Sequence, residues 1–136
     1  MESSVDHFQP KSAHPHLAYE WGNYRLAHSK INGYKGSNQG VLDPFHIQAG
    51  WFILDFANCH VRSNPAVSHI IRAQVEQTIR ILHLNSDDSL VQFRFSLVRN
   101  YSKNHIDMEF LKTYYPFIAV ELARQGLEQS IKGTIP

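Results

Sequence analysis

Asp6 and His7 stand side by side in the stretch VDHFQPKS, near the start of the chain. An imidazole exchanges its proton close to neutral pH, so His7 is suited to take a proton from water. The carboxylate beside it carries hard oxygen atoms of the kind Mg²⁺ prefers. Asn23, in EWGNYRL, follows sixteen residues after His7; Asn32, in SKINGYKG, follows nine residues later, with Lys35 and Gly36 closing the segment. Asn32 brings a second hard oxygen. Lys35, one helical turn beyond it, can carry its ammonium to a phosphate held nearby. Each residue also has an ordinary reading: a surface dipeptide, a turn asparagine before Tyr24, a solvated lysine ahead of a helix-ending glycine. The information lies in their order, Asp-His, then Asn, then Asn-x-x-Lys-Gly.

Neighbouring residues of a strand point to opposite faces, so Asp6 and His7 cannot both address one group from a flat strand. Such a site must use strand twist or the strand end, and Pro10 supplies an end. The first third of the chain is punctuated by Pro10, Pro15, Gly22, Gly33, Gly36, Gly40 and Pro44, which predicts short strands and loops around at most one brief helix. Residues 50 to 62, GWFILDFANCHVR, read as a hairpin: a strand from Trp51 to Phe56, a turn at Ala57 and Asn58, and a return from Cys59 to Arg62.

From Asn64 the period becomes helical. Asn64 is placed to cap and Pro65 to open a helix carrying Val67, Ile70, Ile71, Val75, Thr78, Ile79 and Leu82 at spacings of three and four. Ser86 or Asp87 begins a second helix with an apolar side of Leu90, Phe93, Leu97, Val98 and Tyr101. A third, from near Ile106, carries Phe110, Leu111, Tyr114, Phe117, Ile118 and Leu122, and Pro116 is expected to kink or split it. These stripes read as core, and the C-terminal half as a helical support.

With 136 residues, 43% of them hydrophobic, the chain suits one domain with its own core. The lone Cys59 excludes an internal disulfide and a cysteine zinc site, leaving packing to hold the fold. No run of apolar residues is long enough to span a membrane, and MESSVDHFQPK lacks the features of a signal peptide; a soluble cytoplasmic protein is expected. The net charge of +1 argues against wholesale polyanion binding. Between residues 11 and 35, however, Lys11, Arg25, Lys30 and Lys35 face only Glu20, with His14, His16 and His28 adding positive charge as pH falls.

The Asp6-His7, Asn23 and Asn32-x-x-Lys35-Gly36 constellation resembles the HNH nuclease family. VDHFQPKS, HLAYEWGNYRLAHSKINGYKG, LDPF and RAQVEQTIRILHLN further resemble a bacterial subfamily of HNH proteins from anti-phage defence systems, including the nuclease partner of Septu-type ATPases. The resemblance covers about Val5 to Gly126. It implies an α+β fold, with a ββα-metal site over residues 1–45, the hairpin over 46–63, a helical support of about three helices over 64–126 and a tail over 127–136, all one domain.

The resemblance further implies metal-dependent endonucleolytic hydrolysis of nucleic acid, more DNA than RNA. His7 would be the general base, and Asp6 and Asn32 would hold one Mg²⁺, with Mn²⁺ able to substitute. Asn23 would brace the site and orient His7, while Lys35, with Arg25 and Lys11, would contact the nucleic-acid backbone. An ATPase of a defence system is an implied partner. One feature departs from the family: many relatives carry two cysteine pairs that form a zinc knuckle, whereas here the second pair's positions are His28 and Ile31 and only four residues precede Val5. Structural zinc is therefore not expected. Either the helical half braces the site instead or an upstream segment has been lost. Two rivals stand beside the enzyme: a binding module that keeps the HNH scaffold without cutting, and a small helical interaction protein in which the pattern is accidental.

Overall fold

The computed structural model of the protein describes residues 47–136. Six elements follow one another there: strands β1 (Phe52–Asp55) and β2 (His60–Ser63), then helices α1 (His69–Ile81), α2 (Asp88–Ser102), α3 (Met108–Tyr114) and α4 (Pro116–Arg124). The described residues thus mix α and β, an antiparallel two-stranded hairpin followed by four helices. The ββα-metal motif expected over residues 1–45 lies outside them.

The hairpin forms where it was expected, and buried apolar residues alternate with outward-facing ones along it. Phe52 and Leu54 of β1 and Val61 of β2 are buried, while Ile53, Asp55 and Arg62 face outward. Leu54 lies opposite Val61 and Phe52 opposite Ser63. The connection is tied locally: Asp55 Oδ1 accepts from the Ala57 N–H, Asn58 Oδ1 from the His60 N–H, and the Cys59 N–H donates to the Asp55 carbonyl at 2.7 Å. These side chains mimic backbone turns, which is why Asp and Asn occupy the two positions.

Asn64 does not cap a helix. Its N–H joins the hairpin by donating to Trp51 O at 3.0 Å, its Nδ2 donates to Gly50 O at 2.7 Å, and its Oδ1 accepts from Ala66 N–H at 2.9 Å. With that side chain committed to the end of the sheet, helix initiation passes to Ser68, whose Oγ accepts from the Ile71 N–H. The later start leaves Val67 before α1 and turns Ile70 outward, 72% exposed. Val75, Thr78 and Leu82 keep their expected places in the core.

Asp87 caps α2 as anticipated, accepting from both the N–H and the Oγ of Ser89. Asp107 caps α3, which therefore begins at Met108 rather than near Ile106. Pro116 splits the expected third helix in two. Tyr115, with φ −141° and ψ 63°, leaves the helical region, as the residue before a proline tends to, and Pro116 then opens α4. Because of this break Phe110 and Tyr114 stay on the outer side of α3, whereas Phe117, Ile118 and Leu122 are fully buried.

Three helices end in the same way. After α1, α2 and α4 the chain turns through a left-handed residue, His83 (φ 55°), Asn104 (φ 64°) and Gly126 (φ 69°) respectively. At each end the next N–H reaches back five residues, Leu84 to Ile79 O, His105 to Asn100 O and Leu127 to Leu122 O, so carbonyls that a helix end leaves open are satisfied. The last segment then folds back onto α2. Tyr101 Oη donates to Glu128 O, Ser102 Oγ donates to Ile131 O, and Lys132 Nζ lies 4.0 Å above the Tyr101 ring. Ile131 is buried by this return.

Candidate functional site

Asp6, His7, Lys11, Asn23, Arg25, Asn32 and Lys35, the residues singled out from sequence, all lie outside the described residues. What the described part contributes is a hairpin held between helices, and the polar groups that hold it are the most demanding feature of the fold.

A two-stranded sheet has two open edges, whose outward N–H and C=O groups need partners once buried. Here side chains supply them. On the β1 edge, the Leu54 N–H donates to Glu121 Oε1 at 2.9 Å, and Gln125 Nε2 donates to Leu54 O at 2.7 Å. On the β2 edge, one amide does both jobs: Asn85 Oδ1 accepts from the Val61 N–H at 2.7 Å and Asn85 Nδ2 donates to Val61 O at 2.8 Å. Leu54 and Val61 are register partners, so the hairpin is clamped from both sides at one level. α4 thereby packs beside β1, and α1 beside β2.

Behind each clamp stands an arginine. Glu121 is fully buried and accepts from Arg124 Nε at 2.9 Å and Arg124 Nη2 at 2.8 Å, a two-pronged contact that neutralises the carboxylate and raises the Arg124 pKa, first through that hydrogen bond. Arg94, only 1% exposed, donates through Nε to Cys59 O at 2.9 Å and through Nη2 to Leu84 O at 2.6 Å. It joins the hairpin turn to the segment that carries Asn85. Sequence reasoning missed Arg94, Asn85, Glu121 and Gln125. The available signal was Arg94, which sits four residues from Leu90 and four from Val98, a place in the stripe where an apolar residue belongs.

Two further groupings bring together side chains capable of chemistry. At the tip of the hairpin Asp55 lies opposite His60 and pairs with Arg62 at 3.1 Å. The Asp55 pKa is held below its ordinary value, first by the Ala57 N–H and then by the Arg62 guanidinium. Both carboxylate oxygens are thus engaged in the turn, and the cluster reads as a turn lock. Beside β2, Ser63 Oγ donates to Glu76 Oε2 at 2.8 Å in a cleft of about 530 Å³ that Ile53, Val61, Pro65 and Ile79 also line. Asn85 at one end and Pro65, without an N–H, at the other blunt this edge against an added strand.

Cys59 is buried in the turn, and desolvation pushes its thiol up to about 11, the opposite of what an activated nucleophile needs. Among the described residues no three His, Cys, Asp or Glu side chains converge to hold a metal ion. Nor is any helix among them long and apolar enough to cross a membrane. No protein-family model matches the chain, and neither a curated protein nor a solved structure matches it.

Proposed function

We propose that the chain is a metal-dependent endonuclease of the HNH type that hydrolyses phosphodiester bonds of nucleic acid, DNA in the first instance. A single observation carries this reading: the order and spacing of Asp6-His7, Asn23 and Asn32-x-x-Lys35-Gly36. His7, near neutral pH, accepts the proton of the attacking water. Asp6 and Asn32 are the residues that would hold Mg²⁺ or Mn²⁺. Their donor set fits, because both offer hard oxygen and a cation of this kind takes its remaining ligands from water and substrate. Such a cation, when bound, would supply counter-charge to the phosphate under attack. Asn23 orients His7, and Lys35, Arg25 and Lys11 meet the phosphates flanking the cut. A role in anti-phage defence, alongside an ATPase partner, and a cytoplasmic location belong to the same proposal.

The alternative is a catalytically inactive module that binds nucleic acid or protein, and His28 and Ile31 in place of a cysteine pair are the observation that favours it. A plasmid nicking assay separates the two. The enzyme reading expects cleavage that requires Mg²⁺ or Mn²⁺ and that falls by roughly two to four orders of magnitude in His7→Ala, the usual worth of a general base. DNA retention without cleavage at any cation concentration would support the binding module. Cleavage by His7→Ala at the parental rate would remove His7 from the mechanism.

A further inference from the structure

No further inference is drawn: the strongest candidate, the cleft of about 530 Å³ between β2 and α1 lined by Val61, Ser63, Pro65, Glu76 and Ile79, carries nothing because no observation among the described residues shows what covers it.

Discussion

Replacing Glu121 tests whether the hairpin depends on its side-chain clamps. In Glu121→Ala the Leu54 N–H loses its acceptor, and a buried unpaired amide costs about 1–3 kcal/mol. The buried Cγ methylene goes as well, about 0.8 kcal/mol. Against this, the carboxylate no longer has to be desolvated, an offset comparable with the bonds it made to Arg124 and Gln125. The net expectation is a loss of about 2–4 kcal/mol, a large share of the roughly 5–15 kcal/mol typical of a domain.

Two companion variants separate the contributions. Glu121→Gln keeps an oxygen for Leu54 but loses the charge facing Arg124, and should cost about 1–2 kcal/mol. Arg124→Ala leaves the carboxylate buried; because the Arg124 side chain is 43% exposed, solvent screens the pair and about 1–2 kcal/mol is expected rather than the full cost of breaking a buried bridge. Urea unfolding gives the free energies, and hydrogen exchange at the Leu54 amide reports the bond itself. If Glu121→Ala leaves both the unfolding free energy and Leu54 protection unchanged, water satisfies that edge and the clamp argument is wrong.

Asp6→Ala and Asn32→Ala should each weaken Mg²⁺ binding and regain part of their activity at high Mg²⁺; calorimetry giving parental affinity for both would strike them from the ligand set. Gly126→Ala should cost about 1 kcal/mol from backbone conformation alone, since φ is +69° and an added Cβ would meet nothing within 4 Å; an unchanged melting temperature would mean that the turn after α4 relaxes. The raised Cys59 pKa predicts a stabilisation that is complete below the unfolded value of 9.0 and lost as pH rises towards the folded value of about 11. That difference corresponds to about 2–3 kcal/mol, so unfolding free energies should fall more steeply between pH 8 and 11 in the parent than in Cys59→Ala. Parallel slopes would show that the thiol does not contribute.

Local patterns in the chain were enough to locate the hairpin and the helices, because their causes act over a few residues. Alternation at Phe52 and Leu54 needs only the period of a strand, Asp87 caps α2 through a bond to a residue two positions on, and Pro116 breaks a helix wherever it falls inside one. Asp6, His7 and Asn32 stand out in the sequence only as residue types in a particular order, and they lie outside the described residues. Where a residue has two competing local uses, sequence reading picked the wrong one. Asn64 offers the same side chain to a helix start or a sheet end, and it is Gly50, brought close by the hairpin, that claims its amide.

Only the tertiary structure decided what the polar residues of the helical half are for. Glu121 meets Leu54 across 67 residues, Gln125 meets the same residue across 71, Arg94 meets Cys59 across 35 and Asn85 meets Val61 across 24. Apart from Arg94, which sits within the apolar stripe of α2, nothing in the neighbourhood of these side chains along the chain distinguishes them from solvated ones. Their role arises when the core closes, because burying two sheet edges leaves N–H and C=O groups that must find partners, and among the described residues α4 with its C-terminal end and the connection between α1 and α2 supply them. The apolar pattern determined that a hairpin and helices would form, while the unsatisfied backbone of the hairpin determined which charged and amide groups had to be drawn inside with it.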